Sequence, residues 1–289
     1  MQSNNPVFRR SEEFSRSGAN AYGNQTYAGN GANYQGYGSD PSTWGTGEPG
    51  SVETPARSGA PMTIDSVVQK TGISIGVVIV AAMATWILTP EITPASNADD
   101  LSPLIAALTI GSLGAFALSM VNSFKRVISP GLVIGFALLE GVALGALSKL
   151  FNVQFGEGVV QGAVIGTFAA FAGTLAAYKI LNIKVGAKFR TFVVAAMFGM
   201  VALSLMELVL SMFGQSIGLF GFGGLGMLTA IAGLVLGVFM LILDFDFVEQ
   251  GVANQIPERE SWRAAFAMTV SLVWIYTNLL RLLAIFSQD

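Results

Sequence analysis

The sequence predicts an all-α fold: a polytopic membrane protein with seven transmembrane helices in a compact bundle, preceded by a disordered tail. Three observations carry this. Of 289 residues, 52% are hydrophobic and 11% charged, where an ordinary soluble domain has about 25% charged residues. Mean hydropathy is +0.60. The apolar residues also gather into seven runs, each near the roughly 20 residues a helix needs to cross a bilayer. In lipid only a helix or a closed barrel satisfies its own backbone, and long uninterrupted runs indicate helices.

Residues 1–61 form the tail. They contain no Leu, Ile or Lys and are rich in Gly, Ser, Asn and Tyr, as in NAYGNQTYAGNGANYQGYG. Such a segment buries too little apolar surface to offset its ordering entropy, so disorder is expected. Its start, MQSNNPVFRRSEEF, lacks an apolar core, so no signal peptide is expected there.

Residues 62–289 form the membrane domain. The first span is expected at 72–88, GISIGVVIVAAMATWIL. The second, PLIAALTIGSLGAFALSMV, covers 103–121, and the third, GLVIGFALLEGVALGALS, covers 131–148. The fourth covers 159–178 and the fifth about 191–213. Residues 208–243 carry no charge and are too many for one span, so FGQSIGLFGFGG is expected to turn the chain within them. That places the sixth span at 225–246 and the seventh at 263–286. Three GxxxG pairs, Gly141–Gly145, Gly162–Gly166 and Gly233–Gly237, suit close helix packing in lipid.

Basic residues alternate between the two sides. The tail and its junction carry Arg9, Arg10, Arg16, Arg57 and Lys70. Later connections on that side carry Lys125 and Arg126, then Lys179, Lys184, Lys188 and Arg190, then Arg259 and Arg263. The other side has Lys149 against Glu91, Asp99, Asp100 and Glu157. The positive-inside rule then sets the N-terminus in the cytoplasm and, with seven spans, the C-terminus outside the cell membrane.

Net charge is −3, which gives no case for nucleic acid as a partner; the surrounding partner is the lipid bilayer. The chain has no cysteine and no histidine. That excludes disulfides, thiol catalysis and thiolate metal sites, and removes the usual zinc ligand and neutral-pH switch. No cofactor and no enzymatic activity are expected, since an intramembrane enzyme would have to work with a carboxylate pair. The composition sets no oligomeric state.

Charges inside spans are costly, at least ~2.5–3.5 kcal/mol at the bilayer centre, and tend to mark pathways or proton relays. The candidates are Glu140 in the third span, Glu207 in the fifth, and Asp244 and Asp246 ending the sixth. Arg281, near the end of the seventh, is expected to snorkel. Asp244 and Asp246 lie two residues apart, so on a continuing helix they point about 200° apart. At a helix C-terminus both would also oppose the dipole. GFGGLG at 221–226 fits a dinucleotide fingerprint, but no strand precedes it. DFDFVE lacks the glycine of a calcium loop and places Phe at ligand positions.

Residues 62–286 resemble the Bax inhibitor-1 (TMBIM-like) family in its bacterial branch. The likeness lies in FKRVISPGLVIGFALLEGVALGALS at 124–148, LILDFDFVEQGV at 241–252 and SLVWIYTNLLRLLAIF at 271–286. NPVFRR near the N-terminus also looks like that branch. The resemblance implies a seven-helix bundle with the last helix near its centre and a pH-sensitive leak of calcium down its gradient. It further implies a proton-sensing aspartate pair on the sixth and seventh helices, and a basic latch ending the second. Asp244 matches the sixth-helix aspartate, and Lys125 and Arg126 match the latch. The seventh-helix aspartate is absent: no acid occurs from Ala264 to Leu280, and the position falls near Ser271. Asp246 or Glu140 is left to supply a second acid. Calcium as the transported ion would want several oxygen ligands, for which Asp244, Asp246, Glu140 and Glu207, with neighbouring Ser, Thr and Asn oxygens, are the candidates. The resemblance also carries an alternative, since a bacterial relative regulates a membrane-bound AAA+ protease by contact. The tail would then hold the partner surface.

Overall fold

A computed structural model describes residues 60–93 and 96–288. Seven helices are long and apolar enough to cross a membrane. They are α1 (Ile64–Leu88), α2 (Ala98–Phe124), α3 (Pro130–Phe155), α4 (Glu157–Ile180), α5 (Ala187–Met212), α6 (Gly224–Ala253) and α7 (Ser261–Phe286). The expected tail of 1–61 lies outside the described residues except for Ala60 and Pro61.

Each helix begins where local chemistry permits. Thr63 and Ser66 exchange side-chain and backbone hydrogen bonds of 3.1 and 3.2 Å, a capping box that starts α1. In α2 the Asn97 N–H donates to Asp100 at 3.2 Å, and the acids of this first turn suit the positive end of the helix dipole. Pro130 opens α3, where its missing N–H costs no intrahelical bond. One residue, Gly156 at φ +92°, joins α3 to α4. No residue with a Cβ turns so sharply there without strain.

Helix α6 is longer than its apolar run. It continues to Ala253, seven residues past the expected end, because nothing in DFVEQGVA forbids helical backbone and the next proline is Pro257. Asp244 and Asp246 therefore stand well inside the helix. The expected conflict with its C-terminal dipole does not arise, since that effect is confined to the last turn.

The bundle is built around α7, which packs against α1, α3, α4 and α6. Helix α2 leans mainly on α3, and α5 on α6. Glycines allow the closest approaches. A Cβ at Gly141 or Gly145 would strike the backbone of α1 at Val78 or Ala82, and one at Gly237 would strike Ile275 and Trp274 of α7. Trp274 also donates its indole N–H to the Gly233 carbonyl at 2.8 Å. The Gly162–Gly166 pair meets only the tips of Leu283 and Leu279.

Polar ties close both ends of the bundle. The buried Lys149 ammonium donates to the Trp86 carbonyl (2.7 Å), the Thr89 carbonyl (2.8 Å) and the Thr89 hydroxyl (3.1 Å), capping the end of α1. At the opposite end Pro61 and Pro257 form an isolated antiparallel bridge. Met62 N–H donates to Ile256 O at 2.7 Å, and Glu258 N–H to Ala60 O at 2.8 Å. Lys70 pairs with Glu258 at 2.8 Å. The segment before α1 is thus strapped to the α6–α7 connection. There Arg263 pairs with Glu260 at 3.0 Å and donates to the Arg126 carbonyl at 2.9 Å.

Candidate functional site

The two aspartates of LDFDFVE share no face. Asp244 accepts a 2.6 Å hydrogen bond from the Ser271 hydroxyl on α7. Asp246, buried, pairs with Arg190 of α5 at 2.8 Å and accepts from the Gln250 amide at 2.6 Å. The 200° offset of an i, i+2 pair on a continuous helix accounts for this. One acid looks to the central helix, the other to the peripheral one. One turn on, Glu249 accepts from the Tyr178 hydroxyl of α4 at 2.6 Å.

Asp244 thus has a neutral partner. The aspartate expected on the seventh helix is Ser271, and it lies directly opposite Asp244. The cation that meets an acid of α6 is Arg190, on the neighbouring Asp246. Lys125 caps the end of α2 and is exposed, as is Arg126, whose carbonyl serves Arg263. Neither brings its charge to Asp244. The sequence treated Arg190 only as a connection charge setting orientation. Its place in the first turn of α5, which antiparallel packing sets beside the far end of α6, is the signal that would have found it.

Glu140 is half-buried and has no hydrogen-bond or ion-pair partner among the described residues. Its height is set by contacts on either side. Phe136 meets Phe266 edge-on at 5.0 Å, and Ser148 bonds to Tyr276 at 2.6 Å. Helices α3 and α7 therefore run parallel, with Glu140 between those two levels. Ser271 is five residues from Phe266 and from Tyr276, which turns it about 140° away from α3. The body of α7 stands between Glu140 and Asp244, so Glu140 is not placed as a second acid beside it.

Glu207 lies in the last two turns of α5. Its carboxylate accepts from the Ser216 hydroxyl (2.7 Å) and the N–H groups of Gly218 (2.9 Å) and Ile217 (3.2 Å). Gly218, at φ +81°, lets the backbone present that N–H. Arg281 holds the other half of the same connection, donating to the carbonyls of Leu219 (3.0 Å) and Gly226 (3.3 Å) and resting over the Phe220 ring at 5.0 Å. Its charge is met by that connection. The two charges fold the α5–α6 connection over the end of the bundle, where Phe222 packs on Phe155.

The four candidate acids therefore do not converge. Among the described residues no three Asp or Glu side chains come together to hold a metal ion. The four acids expected to share an oxygen cage, Asp244, Asp246, Glu140 and Glu207, stand at four separate places.

The sequence matches the family described as Bax inhibitor 1 like over residues 5–288. The chain belongs to the Bax inhibitor 1 like family. A comparison with curated proteins finds no match. The central place of α7 agrees with the architecture this family implies. As a member of the Bax inhibitor 1 like family with seven spans, the chain is a multi-pass membrane protein.

Proposed function

We propose that this protein is a non-enzymatic, pH-sensitive leak pathway for cations, calcium foremost, across the cytoplasmic membrane. The N-terminus lies in the cytoplasm, where the basic connections gather. Asp244 is the titrating group, and the observation that carries the reading is its 2.6 Å bond to Ser271 between α6 and the central helix. A carboxyl group there changes the charge of a helix contact whenever it gains or loses a proton, and among the described residues no cation pairs with it to absorb that change. Water and a hard cation favour the ionised state of the contact; a dry, closed contact favours the protonated one.

With Ser271 in place of an acid, no like-charge repulsion splits the titration of a carboxylate pair. One group titrates over one step. The Arg190–Asp246 pair takes the latch role first expected of Lys125 or Arg126: it holds α5 against α6 two residues from Asp244.

Calcium flux into proteoliposomes across a pH series tests this. The wild type shows a flux that changes with pH, and Asp244→Asn removes most of that change. An unaltered pH profile in Asp244→Asn takes Asp244 out of the gate. No flux at any pH overturns conduction and leaves the regulator of a membrane protease, for which deletion of residues 2–61 abolishes partner binding.

A further inference from the structure

On the side of α7 away from Asp244, two polar groups within the spans stand without partners among the described residues. Glu140 of α3 is one, and it is half-buried. Ser74 of α1 is the other; it is fully buried and its hydroxyl meets no donor or acceptor. Glycine contacts set the register of their two helices. Gly141 of α3 lies against Val78 of α1, and Gly145 against Ala82, so α1 and α3 run parallel. One turn back on each helix, Ala137 stands level with Ser74. Ala137 packs with Val78 of α1 and Tyr276 of α7 in one buried cluster, so this level faces the junction of α1, α3 and α7.

We propose that Glu140 and Ser74 form a second proton-binding site in this junction, independent of Asp244. Glu140 sits one turn from Phe136 and Ala137. A helical side chain leans toward the N-terminus of its helix, which here is toward the level of Ser74. A hydroxyl both donates and accepts. With Glu140 ionised, Ser74 donates to its carboxylate; with Glu140 protonated, the acid donates to the Ser74 oxygen. One bond between α1 and α3 thus persists in both states with its direction reversed. Each group gains the partner that burial calls for. The proton taken up comes from water and returns to it.

No charge competes for the site. Residues 72–88 of α1, 101–124 of α2, 158–178 of α4 and 264–280 of α7 include no Asp, Glu, Lys or Arg. The other charge on α3, Lys149, spends its donors on Trp86 and Thr89. On the facing side of α7 the Thr269 hydroxyl donates to the Ala265 carbonyl at 2.7 Å, and the Tyr276 hydroxyl bonds to Ser148 at 2.6 Å. The body of α7 separates Glu140 from Asp244, so the two acids titrate as separate groups.

The test is infrared difference spectroscopy of the full chain in lipid vesicles across a pH series, read at the protonated-carboxyl stretch. Glu140→Gln should remove one band, and Asp244→Asn should leave that band and its midpoint untouched. Ser74→Ala should move the Glu140 band to higher frequency, as a carboxyl stretch does on losing its hydrogen bond. It should also change the proton affinity of that group about tenfold. Ser74→Thr, which keeps the hydroxyl, should restore both. A Glu140→Gln spectrum that lacks no band would overturn the site. So would a Ser74→Ala spectrum with the Glu140 band unmoved in frequency and midpoint, and a midpoint that follows Asp244→Asn would overturn its independence. The readout needs no ion flux, so its outcome is separate from that of the leak.

Discussion

Helices α7 and α5 are of equal length and sit at opposite extremes of the bundle. Half of the apolar span of α7 is buried against neighbours, and 11% of that of α5. Helix α7 is held by shape: glycines on α6 admit Ile275 and Trp274, and its other faces meet α1, α3 and α4. Helix α5 is held at its two ends by charge, through Arg190–Asp246 at one and Glu207 with its connection at the other. In lipid, apolar side chains gain little by leaving the surrounding hydrocarbon, so packing and polar ties decide association. A helix fastened by charge is tethered at points; a helix fastened by packing forms the frame of the bundle.

Matched glycine substitutions probe the contrast most strongly. Gly237→Leu forces a side chain into the α6–α7 contact and should cost about 3 kcal/mol through overpacking. Gly199→Leu on α5 meets open space and should leave thermal unfolding in micelles nearly unchanged. Equal losses from both would show that α5 has hidden packing partners.

Next in size, Asp246→Asn removes the charge facing Arg190. A loss of about 2 kcal/mol is expected from the charge-assisted bond, localised to α5 and visible as faster amide hydrogen exchange over its first turns. Calcium leak should rise at every pH, since the tether goes while Asp244 stays. Exchange that quickens in α7 instead would reverse the assignment of tether and frame.

The smallest effect belongs to Arg281→Met. The guanidinium anchors one half of the α5–α6 connection while Glu207 keeps the other, so about 1 kcal/mol is expected. Exchange at Gly221 should quicken and that at Gly218, bonded to Glu207, should not.

These contrasts also mark what the sequence could show. The seven spans were legible because bilayer thickness selects run length, and a run can be read along the chain. The end of α6 was misjudged because Asp244 and Asp246 lower hydropathy without breaking helical backbone. The opposite outlook of those two acids followed from helical geometry alone. Their partners did not: Arg190 precedes Asp246 by 56 positions, and nothing local says which aspartate it meets. Glu207 and Arg281 looked costly in isolation because their donors and acceptors belong to a Gly-rich connection whose path emerges only in three dimensions. Ser271 was located through family likeness, and the structure sets it opposite Asp244.

The short bridge at Pro61 and Pro257 has a mechanical consequence. Whatever grips the chain ahead of Ala60 pulls on a point riveted to the junction of α6 and α7, the helices that carry Asp244 and Ser271. Tension applied at that point would arrive at the junction first and load the contact of one helix along the other.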